Sequence, residues 1–109
     1  MQFSNEADMT EREKIIEQSW EELSYILAAT DDKELIKNFL LELLSKHEAK
    51  EISDRWTVVR MLDQGISQRK IAENLEMSLC KITRGSKEYK KENSAFRRMI
   101  ELYKKNATL

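Results

Sequence analysis

The 109-residue chain has no proline and only two glycines, Gly65 and Gly85. Uninterrupted helices are therefore permitted almost everywhere, and nothing resembles a run of strands and turns. A single cysteine, Cys80, excludes an intramolecular disulfide and a cysteine-rich zinc site. A single histidine, His47, leaves no histidine pair for a metal. No apolar run approaches the roughly twenty residues of a membrane span. The polar start, Met1 to Glu13, lacks the apolar segment of a signal peptide. A reducing cytoplasm and no membrane partner are expected. No His, Cys or carboxylate cluster has catalytic spacing and no glycine-rich loop could cradle a phosphate, so neither an enzyme nor a cofactor is expected. This length predicts one domain, 1–109, with residues 1–9 frayed for want of apolar surface to bury.

What is present is charge, unevenly spread. The chain carries −1 overall. From Ser67 onward eleven Lys and Arg face five Asp and Glu, a balance of +6; the first 66 residues hold eight against fifteen, a balance of −7. Lys81, Arg84, Lys87, Lys90 and Lys91 cluster in the basic part. A solvated charged surface is the bland explanation. Clustering beside one short helix favours a phosphate-bearing partner.

That helix belongs to the stretch Ile66 to Ser86. Ser67 is placed to cap a helix over Gln68 to Leu75, with Ile71, Ala72 and Leu75 inward at helical spacing. Ser78 caps a second helix from Leu79 to Arg84 or a little beyond, with Leu79 and Ile82 inward. Ala72 is small where the two helices approach. Glu76 stands in the turn where glycine is common. An ordinary helical hairpin would also fit. The spacing and the basic second helix favour a helix-turn-helix, about 67–86, whose second helix enters the major groove of double-stranded DNA.

Four more helices complete an all-α reading. Thr10 and Glu13 form a capping box for a helix to about Ala29, with Ile16, Trp20, Leu23 and Leu27 as its apolar stripe. Thr30-Asp31-Asp32 breaks it and caps the next, about Lys33 to Leu44, which carries Leu35, Ile36, Phe39, Leu40, Leu43 and Leu44 around most of its circumference. Ser45 and Glu48 box the third, with Ile52, Trp56, Val59 and Leu62 inward and Gly65 at its end. Ser94 caps the last, with Phe96, Met99, Ile100 and Tyr103 inward. Trp20 and Trp56 are read as core aromatics, His47 as a solvent-facing side chain and Cys80 as a small semi-exposed one. The second helix is apolar on too many sides for a thin monomer, so an obligate two-fold homodimer is expected.

Ser67-Gln68-Arg69 followed by Ile82-Thr83-Arg84-Gly85-Ser86 resembles the bacterial tryptophan repressor family, at the same separation. Arg55 before an apolar helix, and the leucine-rich segment 40–44 followed by Ser45, also fit. The resemblance covers about residues 38–104 well and the first helix more weakly. It implies a six-helix Trp repressor-like fold with a helix-turn-helix, an intertwined homodimer, and a repressor that binds a palindromic operator when L-tryptophan is bound as corepressor. By resemblance, Arg84 pairs with the ligand carboxylate, and Arg55 and Arg84 sandwich the indole. Ser45 and the main-chain carbonyls of Glu42 and Leu44 come from the partner chain, to the carboxylate and the ammonium respectively. Gly85 allows close approach of the ring. Glu88 stands where some members have a serine near the ligand's amino group.

For DNA, the resemblance implies contacts from Gln68 and Arg69, from Leu79, Cys80, Lys81 and Thr83 in the groove, and from Lys87 and Lys90. Cys80 and Lys81 replace smaller or neutral family residues, and Lys87 stands where many members have asparagine. The rival reading is a helix-turn-helix regulator that is constitutive or answers to another small effector. A purely protein-binding helical module is more distant.

Overall fold

The computed structural model describes residues 8–107. The predicted frayed start falls largely on residues 1–7, outside the described residues. Six α-helices and no strand are found among the described residues, as the all-α reading requires. They fall into two compact units that divide between Leu44 and Ser45.

The first unit holds α1 (Glu11–Ala29) and α2 (Lys33–Leu43). The capping box forms: Glu13 N–H donates to Thr10 Oγ1 at 3.1 Å, and Thr10 N–H donates to Glu13 Oε2 at 2.9 Å. Two of the free amides of the first turn are thereby satisfied. At the other end the Thr30 hydroxyl donates back to the Ile26 carbonyl at 2.6 Å. Asp32 then caps α2 by accepting from Leu35 N–H at 3.1 Å. Neither helix contains a buried residue. Trp20 is 61% exposed and Tyr25 74%, so the reading of Trp20 as a core aromatic is corrected. Two helices carry more apolar surface here than they can cover for one another.

The second unit holds α3 (Lys46–Asp63), α4 (Gln68–Leu75), α5 (Leu79–Lys90) and α6 (Ala95–Ala107). Its core is Val58 and Val59 of α3, Ile71 of α4, Ile82 of α5 and Ile100 of α6, all buried. Complete burial of one such side chain contributes about 1.5–3 kcal/mol. Ser45 and Glu48 close a second capping box at the start of α3. Past its end, Gly65 takes φ +85°, with its N–H on the Leu62 carbonyl and Ile66 N–H on Met61, a Schellman ending. α4 ends in the same way, but on Glu76 at φ +52°, with Met77 N–H on the Ala72 carbonyl. Ser67 and Ser78 cap α4 and α5, and the Thr83 hydroxyl donates to Gln68 Oε1 at 3.1 Å between them.

Several inward assignments are corrected. Leu79 is 52% exposed, whereas Ile82 is completely buried. Leu79 is the first residue of α5, and a helical side chain leans toward the N-terminus, so it overhangs the core that Ile82 fills. Ile52, near the start of α3, is exposed. Met99 and Tyr103 are exposed too, because α6 buries only the narrow face around Ile100. Tyr103 still packs edge-on against Trp56, with ring centroids 5.9 Å apart, and Arg60 lies 4.6 Å above its ring.

α5 extends to Lys90, so Gly85 lies inside the helix, where glycine costs about 1 kcal/mol relative to alanine. The reason is steric. A Cβ at Gly85 would sit 3.0 Å from Val58 Cγ1. The glycine is what lets α5 lie against α3.

Candidate functional site

Where α5 meets α3, their facing residues open into a cleft of about 270 Å³. Helical periodicity selects its walls. From α3 come Glu51, Asp54, Arg55, Val58 and Val59, and from α5 come Lys81, Arg84, Gly85 and Glu88. Each set recurs at three- and four-residue steps. Met77 of the turn and Phe96 of α6 complete the lining. The valines form an apolar floor, and six charged side chains stand around it. Phe96 is stacked on Trp56, with centroids 6.0 Å apart.

The charges are not equally free. Lys81 Nζ donates to Glu51 Oε1 at 3.2 Å. That hydrogen bond first, and the Lys81 charge second, hold the Glu51 carboxyl below the usual carboxylate range. Lys50 Nζ lies 2.7 Å from Asp54 Oδ2, and this hydrogen bond raises the Lys50 ammonium above its ordinary value. Both pairs are substantially exposed, so neither adds much to stability. Arg84 and Glu88 make no hydrogen bond or ion pair among the described residues.

Of the expected ligand residues, Arg55, Arg84, Gly85 and Glu88 come together in this cleft. Glu42 and Leu44 lie in the first unit, and the Ser45 hydroxyl accepts from Glu48 N–H at 3.1 Å as a helix cap. None of these three lines the cleft of its own chain; the resemblance assigns them to a partner's cleft. Lys81, expected in the DNA groove, lines the cleft wall and is paired there with Glu51. It lies one turn before Gly85, so the helix turns it toward α3. Glu51, Asp54, Met77 and Phe96 were not foreseen. Stepping back and forward by three or four from Arg55 reaches Glu51, Val58 and Val59. Nothing in the sequence signals Met77 or Phe96.

The outward side of α5 is different. Leu79, Cys80, Thr83, Arg84 and Lys87 border a shallow open depression. Arg69, Leu79, Cys80, Lys87 and Lys90 are exposed, while Gln68 and Thr83 are half-buried and joined to each other. Arg84 is the residue common to the depression and the cleft. Among the described residues no group of His, Cys, Asp and Glu is arranged to hold a metal, and no helix is long and apolar enough to cross a membrane.

The family model described as Trp repressor protein matches residues 18–104. A Trp operon repressor homolog of Xylella fastidiosa (strain M23) is 37% identical over 71 residues, covering 64% of this chain and 77% of the relative. One from Chlamydia trachomatis serovar L2 is 27% identical over 86 residues, covering 78% and 92%. No solved structure gives a significant match. With the family model spanning most of its length, the chain belongs to the Trp repressor family, whose members are transcription regulators and not enzymes.

Proposed function

We propose that the chain is a ligand-dependent transcriptional repressor. As a dimer it binds a palindromic operator when L-tryptophan occupies the cleft as corepressor, and so shuts down tryptophan biosynthesis or uptake genes. One observation carries this reading. α5 lines the cleft with one side and offers an exposed basic surface with the other. A molecule wedged between α3 and α5 acts on the pose of the helix that meets DNA. The coupling is reciprocal, so DNA tightens the ligand by the factor that the ligand tightens DNA.

The cleft's chemistry suits the ligand. Val58, Val59 and Phe96 supply apolar surface for a ring. Arg55 and Arg84 supply flat cationic faces, and Arg84 a planar fork for a carboxylate. About 270 Å³ is at the small end of ligand sites and matches a molecule of amino-acid size.

The first unit supports the dimer. Ile26, Leu35, Leu41 and Leu43 are exposed alongside Trp20 and Tyr25, with no buried residue in either helix. Exposed apolar surface on this scale marks an interface, and a two-fold copy covers it without a new partner. The same symmetry sets two α5 helices about 34 Å apart, a half-site spacing for which the Trp repressor is itself a reference example. Ser45 and the carbonyls of Glu42 and Leu44 of the second copy then complete each cleft.

The rival is a regulator that is constitutive or answers to another small effector. Glu51, Asp54 and Lys81 of the cleft favour it, since the tryptophan reading assigns them no contact. A gel shift decides, using a palindromic duplex selected by the protein from a random pool. Retardation only with L-tryptophan is expected. Equal retardation with and without it leaves the DNA-binding part and removes the corepressor. No retardation even at low salt removes both.

A further inference from the structure

Two polar bonds join α5 to α3 among the described residues, one toward each end of α5. Tyr89 meets Asp63 in its last turn, and Lys81 Nζ meets Glu51 Oε1 at 3.2 Å in its first. Gly85 lies against Val58 between them. The Lys81–Glu51 bond spans 30 residues of sequence, so it belongs to the fold and not to one helix. His47 Nε2 lies 3.9 Å from the same oxygen, but one turn away on α3 itself, so Lys81 is the partner that crosses to another helix.

The first turns of α5 are the ones that face DNA in the repressor reading. They carry Leu79, Cys80 and Thr83, and the Thr83 hydroxyl ties them to Gln68 of α4. Lys81 therefore fastens the start of α5, and α4 with it, to α3. The cleft keeps its 270 Å³, a volume suited to an amino acid, while this bond is closed. The closed bond and an occupied cleft thus belong to one pose. An interaction that favours this pose raises the fraction of chains ready for either ligand, and the apparent dissociation constant of each falls as that fraction rises.

We propose that Glu51 is a positioning residue: acting through Lys81, it seats the start of α5 on α3 in the pose that effector and DNA both select. This rests on the repressor reading and deepens it, by naming a contact that sets how far the effector changes DNA affinity. With Glu51 in place, the chain itself holds part of the pose and leaves less for the effector to supply. Without it, effector-free chains leave the pose more often, whereas a bound effector still restores it. Glu51 is 25% exposed and Lys81 53%, which puts the bond in the upper part of the range for surface pairs, about two- to fivefold in that equilibrium.

The test is fluorescence anisotropy of the full chain on its selected palindromic duplex, without and with saturating L-tryptophan. It compares the natural chain, Glu51→Ala, Lys81→Ala and the double variant. In Glu51→Ala, affinity without L-tryptophan should fall about two- to fivefold and affinity with it should hold within about 1.5-fold, so that their ratio rises. Loss of an acid near DNA would by charge alone strengthen binding, so the expected loss has the opposite sign. Lys81→Ala removes the same bond from the other side and should raise the ratio equally, so the test does not hang on the folding of one variant. Melting curves check each fold. In the Lys81→Ala background, Glu51→Ala should do nothing further. The proposal is overturned by an unchanged ratio, by effector-free binding that strengthens, or by a Glu51→Ala effect that persists in the Lys81→Ala background. An unchanged ratio with weaker binding in both states would instead mark a simple structural loss. If L-tryptophan changes nothing in the natural chain, the corepressor reading fails on its own. The effector-free affinities then decide: a loss in Glu51→Ala that vanishes in the Lys81→Ala background sustains the proposal, and no loss overturns it. A natural chain that binds no DNA overturns both.

Discussion

The hydroxyl of Tyr89 donates to Oδ1 of Asp63 across 2.6 Å, joining the end of α5 to the end of α3. Oδ2 of the same carboxylate meets Lys104 of α6 at 2.9 Å, so one side chain ties three helices together. Asp63 is only 9% exposed and sits at a helix C-terminus, where a negative charge is unfavourable unless cations and donors offset it. Arg97 acts beside it, donating to the carbonyls of Tyr89 and Lys91 that the end of α5 leaves unsatisfied. The clasp holds the far end of α5 against α3, as the cleft requires.

Tyr89→Phe should therefore destabilise the second unit by about 1–2 kcal/mol, since it removes a hydrogen bond to a charged, largely buried group. The pH profile carries a further signature. Asp63 is held below its ordinary range, first by the Tyr89 hydrogen bond and then by that of Lys104. Its contribution is complete above the ordinary carboxylate range and is lost as pH falls through its lowered value. Tyr89 is raised by its bond to Asp63, so its contribution is complete below the ordinary tyrosine range and is lost as pH rises through the raised value. Denaturant melts of Asp63→Asn across pH should show both losses reduced. A natural profile retained by the variant would place the pH dependence elsewhere.

Gly85→Ala sets two effects of opposite sign against each other. Alanine gains about 1 kcal/mol of helix propensity. Its Cβ would stand 3.0 Å from Val58 Cγ1, and overpacking of a filled core costs about 1–3 kcal/mol. Val58 is buried and β-branched, so it yields little. A net loss of up to about 2 kcal/mol is expected. In Val58→Ala the steric cost disappears, and Gly85→Ala should become neutral or stabilising there. Additivity of the two changes in a double-mutant cycle would show that the contact does not control the site.

Much of this was legible in the sequence, for identifiable reasons. The serine, threonine and aspartate caps at Thr10, Asp32, Ser45, Ser67, Ser78 and Ser94 each accept a bond from a backbone N–H, so the starts of all six helices could be read locally. The inner faces were read less well. Periodicity gives a stripe but not its width, and so Leu79, Ile52, Met99 and Tyr103 were set inward although the neighbours leave them exposed. Lys81 carries two signals that the sequence does not rank: it shares a face with Gly85, toward α3, and a lysine on a basic helix suggests phosphate. The Asp63–Tyr89 clasp spans 26 residues and has no local signal.

Glu76 is a place where the chain departs from its own best local choice. It ends α4 in the left-handed region at φ +52°, with Met77 N–H returning to the Ala72 carbonyl. An L side chain pays roughly 1–2 kcal/mol there, which glycine avoids. Glu76→Gly should raise stability by about 0.5–1 kcal/mol after glycine's extra unfolded-state entropy is subtracted. Thermal denaturation should show an increase of a few degrees. A lower melting temperature would mean that the Glu76 side chain makes a stabilising contribution larger than its backbone strain.

Two lysines of α5 that the sequence alone treats alike differ in the structure. Lys90 is exposed on the basic helix and has no carboxylate partner among the described residues, whereas Lys81 is engaged by Glu51 in the cleft wall. A lysine that neutralises a phosphate releases about one counterion, so its loss lowers the salt dependence of DNA affinity by about one unit. Lys90→Ala should do this, weakening all DNA sequences about equally. Lys81→Ala should change the salt slope little, because its charge is balanced by Glu51 within the protein. Fluorescence anisotropy of a labelled duplex from low to moderate salt measures both slopes. A full-unit drop for Lys81→Ala would put that side chain on the DNA after all, released from Glu51 when the complex forms. An unchanged slope for Lys90→Ala would take Lys90 off the DNA.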